Sequence, residues 1–303
     1  MKPYIMVHTI GDQSLDISNL GNVQGDALVA RAWRKYIDRR DDMILTYDSN
    51  QADFIIYFNF FADIIPNVRA KKIAYIQNVM PSHAWAGGTV GQFNLHKHKF
   101  DHFIFTSNRL KENCKTDGAV IPFATDPEIF FRYDPVTHYR HPISFVGNGI
   151  RTQEENNRYI MPVIDLIAIY GNIDGWAKEY HSACKGKLPL EDEPILYSSS
   201  LVNLNFHISE HLEHDTPNFR IYNILACGGV IVTDRSDTLV SKYSDFVNFT
   251  DGGEDLKKQM DWLRNVDILI EADTRATAGQ RYVLEHDTFE HRVAVLAEFI
   301  RGL

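Results

Sequence analysis

Apolar positions along the chain fall into two alternating series separated by one polar break. In the first series, short runs at residues 4–10, 43–47, 54–58, 72–76, 102–106 and 119–122 are rich in Ile, Val, Phe and Tyr. They lack a clean period of two, the pattern of strands buried on both faces. Between the first two runs, residues 26–37 place Ala27, Leu28, Ala30, Ala32, Trp33 and Ile37 at helical spacing. Strands alternating with helices predict a parallel sheet in an open α/β domain.

The break lies at residues 134–142, where Pro135, two histidines and Pro142 interrupt the pattern. A fresh strand follows at once at residues 143–146, and the alternation resumes. A helix is expected over 153–166, a strand over 167–170, a helix over 218–227, a strand over 230–233 and a terminal helical pair over 274–285 and 289–300. The boundary therefore divides the chain into residues 1–139 and 140–303.

Composition changes this picture little. A chain of 303 residues with 44% hydrophobic content is long enough for two cores. No apolar stretch reaches the length of a membrane-spanning helix, and the opening residues lack the order of a secretory signal. Three scattered cysteines, Cys114, Cys184 and Cys227, show no metal-ligand spacing and suit a reducing compartment. The expected location is the cytoplasm. The net charge of -9 is uneven: residues 1–140 carry 16 basic against 15 acidic side chains, residues 141–303 carry 15 against 25. Such an acidic balance speaks against nucleic acid as a partner.

Candidate chemistry begins where the strand at 143–146 runs into Gly147-Asn148-Gly149-Ile150-Arg151. Glycines there let a ligand approach the backbone, and the helix that follows offers free N–H groups to phosphate. Thr152 and Glu155 have capping-box spacing. The dinucleotide fingerprint is incomplete, because Thr152 stands at its third glycine, and after the first strand only Gly11 is present. An NAD-dependent oxidoreductase is disfavoured accordingly. The longer stretch from Asp215 to Asp234 reads as a polar loop, a helix from Asn218, a Gly228-Gly229 stop and a buried strand. Arg220 falls in the first turn of that helix, where a cation opposes the dipole and calls for an anion or an acidic neighbour.

The pieces FVGN (145–148), IYG (169–171), LYSSSLVNLNFH (196–207), NFRIYNILACGGVIVTD (218–234) and HDTFEHRV (286–293) occur in that order. In this order and spacing, residues 143–300 resemble the C-terminal domain of GT-B glycosyltransferases, in particular the CgeB-like (spore maturation protein type) group related to the family-4 enzymes. The resemblance implies an α/β GT-B fold, two Rossmann-like domains with parallel sheets facing across a cleft, and a last helix that returns to the N-terminal domain. It implies hexosyl transfer from a UDP- or GDP-linked sugar, without a metal and with retention, to a hydroxyl of a glycan, a lipid-linked sugar or a protein. Donor contacts fall on Gly147, Asn148, Gly149, Arg151, Gly171, Asn218, Phe219, Arg220 and Asn223, with Arg220 on the diphosphate. Two family glutamates eight positions apart are here Asp215 and Asn223. Asp215 retains hydrogen-bonding capacity toward a sugar, whereas Asn223 supplies no charge. A degenerate module that binds without turnover is the alternative reading.

On the acceptor side, Gly11 and Asp12 follow the first strand, and the loop residue His83 precedes a glycine pair. His83 is the candidate for a sugar contact or proton relay; a loop histidine without chemistry is the other reading. No cofactor or metal is called for: Asp41-Asp42 and the run Glu191-Asp192-Glu193 read as solvated charge. His96, His98, His102, Lys97 and Lys99 interleave with Phe93, Phe100 and Phe103, a pattern compatible with an acceptor or peripheral membrane contact.

Overall fold

A computed structural model describes residues 2–9, 25–61, 64–77, 79–80, 86–149, 151–263 and 265–303. It contains two six-stranded sheets in which every named pairing is parallel. The first comprises β1 (Tyr4–His8), β2 (Ile44–Leu45), β3 (Phe54–Tyr57), β4 (Lys71–Ile76), β5 (His102–Phe105) and β6 (Ala119–Val120), ordered β2-β1-β3-β4-β5-β6. The second comprises β7 (Ile143–Val146), β8 (Ile167–Tyr170), β9 (Cys184–Gly186), β10 (Val202–Asn205), β11 (Ile231–Thr233) and β12 (Asn248–Phe249), ordered β9-β8-β7-β10-β11-β12. Counted from β7, that is the 3-2-1-4-5-6 order of the doubly wound nucleotide-binding sheet.

Helices cover both sheets. Apolar spacing was legible in α1 (Gly25–Asp38), whose Trp33 is fully buried against Phe58 and Tyr75. Helix α2 (Gly88–His96) turns Phe93 inward onto Phe103 and Phe105, and Phe100 also packs inward. Phe93 belongs to the core, and Phe100 and Phe103, partly buried, pack against it, so these rings serve packing more than surface contact. After α3 (Asn108–Cys114) the chain adds β6 to the first sheet and then crosses to β7 in the second. Helix α4 (Gln153–Tyr159) starts with the Thr152–Glu155 capping box and is shorter than its sequence pattern implies, because Pro162 lies in the 3-10 turn that follows. Helices α5 (Glu193–Ser199), α6 (Ser209–Glu213), α7 (Phe219–Ala226), α8 (Asp237–Tyr243) and α9 (Gly253–Leu263) complete the second layer.

Two long helices close the chain, α10 (Val266–His286) and α11 (Phe289–Arg301). Between them Asp287, fully buried, accepts from Lys242 (2.6 Å), Tyr243 (2.6 Å) and Arg292 (2.5 Å). Arg292 also donates to the Phe123 carbonyl at 3.1 Å, and α11 packs on α1. The final helix thus ties the two sheets together through a buried ion network. No described helix is long and apolar enough to cross a membrane.

Candidate active site

In a doubly wound sheet the strand order reverses between the first and fourth strands, and ligands bind in the crevice beyond their carboxyl ends. Here those strands are β7 and β10. Beyond β7, Arg151 returns across the crevice and donates to the carbonyls of Asn148 (3.3 Å) and Phe206 (2.7 Å), the latter just past β10. Its guanidinium lies 5.0 Å from the Phe145 ring centre, and that of Arg220, from the first turn of α7, lies 4.8 Å from the same ring. Arg220 Nη1 is held by Asn205 Oδ1 at 3.2 Å.

Two guanidinium groups on one buried ring repel each other. Burial, followed by the charge of Arg220, pulls Arg151 down to about 9, and burial also lowers Arg220. Among the described residues, no group hydrogen-bonds Arg151 Nε. The helix start adds to this: Asn218 makes no side-chain cap, leaving first-turn N–H groups open at the positive end of the helix. Desolvated cations at a helix N-terminus make a site for an anion with at least two charged oxygens.

The Asn218 N–H itself is fixed by His207 Nε2 at 3.1 Å. His207 Nδ1 pairs with Asp234 Oδ1 at 2.6 Å, and both side chains are buried. Asp234 therefore orients His207, which orients the start of α7. Neither residue stood out in the sequence; the spacing of His207, His211 and His214 ahead of the helix was the available signal.

The glycine turns also meet here. A Cβ on Gly149 would lie 2.0 Å from the Gly175 carbonyl oxygen, and one on Gly171 would lie 2.1 Å from the Gly147 oxygen. Their absent side chains are thus required by loop-on-loop packing. Gly147 donates its N–H to Tyr170 O at 2.8 Å, and a Cβ there would sit 3.0 Å from Arg220 Nη2. Asn148 Oδ1 ties in the Asn172 amide at 3.2 Å.

The other named residues reach toward the domain junction. Phe219 packs on Phe123, 6.1 Å between ring centres, and on Gly25 at the start of α1. Asn223 accepts from Thr125 at 3.0 Å, deep between the domains. Asp215, in left-handed backbone (φ 47°), accepts from Thr238 N (2.9 Å) and Thr238 Oγ1 (2.8 Å), which anchors it to α8. Gly11, Asp12 and His83 lie outside the described residues.

Glu193 departs from its reading as solvated charge. It is partly buried at the start of α5, accepts from Tyr197 OH at 3.3 Å, and is raised to about 7 by burial, with Arg220 opposing. Asp192 accepts from Tyr139 OH at 2.8 Å. Both acidic side chains were drawn inward by the start of α5, a placement no local charge pattern reveals.

Comparison with known proteins bears on the fold that carries this geometry. Residues 155–298 match the family model described as glycosyl transferase-like. No curated protein matches the sequence. Among solved structures, Anabaena HepE in complex with UDP and glucose is 12% identical, with all of both chains covered and a TM-score of 0.68. Sucrose-phosphate synthase from Thermosynechococcus elongatus is 12% identical over 100% of this chain and 99% of its own, with a TM-score of 0.70. T4 phage BGT in complex with UDP-glucose is 11% identical over 100% and 99%, with a TM-score of 0.58. With two six-stranded parallel sheets and a glycosyl transferase-like C-terminal segment, the chain has the GT-B fold and is an enzyme of the glycosyltransferase kind.

Proposed function

We propose that this enzyme, a CgeB-like relative of the family-4 group working in the cytoplasm, moves a hexose from a UDP- or GDP-linked donor to a hydroxyl of a glycan, a lipid-linked sugar or a protein. The observation that carries this reading is the pair Arg151 and Arg220 on Phe145, beside an uncapped helix start at the switch point of the second sheet. Their mutual repulsion is relieved by a nucleoside diphosphate, and relieved most when the sugar bond breaks and a further negative charge develops on the leaving group. That is differential stabilisation of the transition state. Cationic side chains and helix N–H groups take the role a divalent metal fills elsewhere, so transfer proceeds without one, and retention follows from the family-4 kinship. HepE and T4 phage BGT, in complexes with UDP or UDP-glucose, support a nucleotide sugar as partner.

The test is calorimetric titration of UDP, GDP, dTDP and their sugar conjugates in EDTA, alongside Arg220→Ala. We expect micromolar binding of one nucleotide family and at least a tenfold loss in the variant, the scale of a charge-assisted contact. Absence of binding by folded wild-type protein overturns the reading. A second reading, a module that binds without turnover, is favoured by the engagement of Asp215 with Thr238 and of Asn223 with Thr125. Nucleotide-sugar binding without release of nucleotide in the presence of an acceptor panel would select it.

A further inference from the structure

His211, on α6, stands between the two domains in a position the arginine pair leaves unexplained. On one side its ring centre is 5.9 Å from that of His207, and the charges of Arg151 and Arg220 act on it. On the other side it meets the backbone of Val79, beyond the end of β4 in the first domain. Its Nδ1 is buried and, among the described residues, without a hydrogen-bond partner. Two more buried oxygens share this condition: Oδ1 of Asn218, whose amide is bonded to His207, and Oε1 of Gln77, two residues before Val79.

The protonation of the ring decides what it can receive. Burial first, then His207 and the two arginines, hold His211 well below the usual histidine range, so the imidazole is neutral. With Nδ1 unpartnered, the N–H directed at the Val79 carbonyl is that of Nε2, which leaves a lone pair on Nδ1. Such an atom only accepts. A diphosphate at neutral pH has no proton to offer it, and the amide oxygens of Asn218 and Gln77 are acceptors as well. The missing partner is therefore an O–H donor adjoining the anion site.

We infer that His211 Nδ1 accepts a hydrogen bond from a hydroxyl of the donor's sugar, so that it reads the sugar and not the nucleotide. This rests on the donor-site reading above. The experiment is titration of wild type, His211→Ala and His211→Asn with UDP, GDP and dTDP and with UDP-glucose, GDP-mannose and dTDP-glucose. Wild type should bind one sugar conjugate more tightly than its bare nucleotide. His211→Ala should lose about five- to tenfold in affinity for the conjugate, one buried hydrogen bond, with nucleotide affinity unchanged. His211→Asn, whose amide oxygen falls near the Nδ1 position, should recover most of it. Equal losses for nucleotide and conjugate, no loss for either, or a wild type indifferent to the sugar would each overturn the inference while leaving the diphosphate site standing. A wild type that binds no nucleotide overturns the donor site itself, and this inference with it.

Discussion

The central strands β4 and β10 occupy equivalent places in the two parallel sheets, and their interior residues are buried on both faces, yet they are composed oppositely. Over its buried part β4 reads Ile73-Ala74-Tyr75-Ile76, apolar throughout. Strand β10 reads Val202-Asn203-Leu204-Asn205, alternating, with both asparagines at most 1% exposed. Asn203 accepts from Ser144 at 2.8 Å and donates to Tyr197 O at 3.0 Å, and Asn205 holds Arg220. An apolar strand packs helices by area, which is non-directional; a strand carrying buried amides fixes them by hydrogen bonds, which are directional. The first sheet is a scaffold, and the second also aims α5 and α7 at the site.

The largest effect expected from breaking this contrast is on the scaffold. Ile73→Ala should cost about 2–5 kcal/mol in denaturant unfolding through the cavity it leaves, while the folded fraction keeps its nucleotide affinity. Asn203→Ala should cost about 1–3 kcal/mol for stranded polar partners, and unlike Ile73→Ala it should also weaken nucleotide binding, because Asn203 ties α5 through Tyr197 O to Val230 O in the segment that follows α7. Asn205→Ala should cost a similar amount, since it strands Thr233 Oγ1 and Arg220 Nη1, with nucleotide affinity about fivefold weaker, the worth of about one hydrogen bond. Smallest is the pH response of Glu193. Its carboxyl titrates at about 7 in the folded protein against 4.5 unperturbed, so the native state holds the proton more tightly. The stabilisation is complete below 4.5 and is lost as pH rises to about 7. Glu193→Gln should flatten the decline of the melting temperature across that window, and an unchanged slope would show that Glu193 is solvated.

The glycine-rich turn, the capping box at Thr152, the helix opening at Asn218 and the Gly228-Gly229 stop were all legible because each is a local backbone requirement. Gly228 illustrates this: its φ of 65° is the left-handed conformation that ends a helix. The arginine pair was half legible. Arg151 and Arg220 could be named from their places in two motifs, but not their meeting on Phe145. His207, His211 and Asp234 went unread and Glu193 was misread as solvated charge, since their burial depends on strands and helices distant in sequence.

By itself, then, the sequence determined two alternating α/β series and the glycine turns and helix starts that join their elements, because hydrophobic period and turn chemistry act over a few residues. Only the tertiary structure decided which charges are desolvated, which acidic side chains are withdrawn from water and which buried atoms have no partner, because these depend on what the fold brings against each group from elsewhere in the chain.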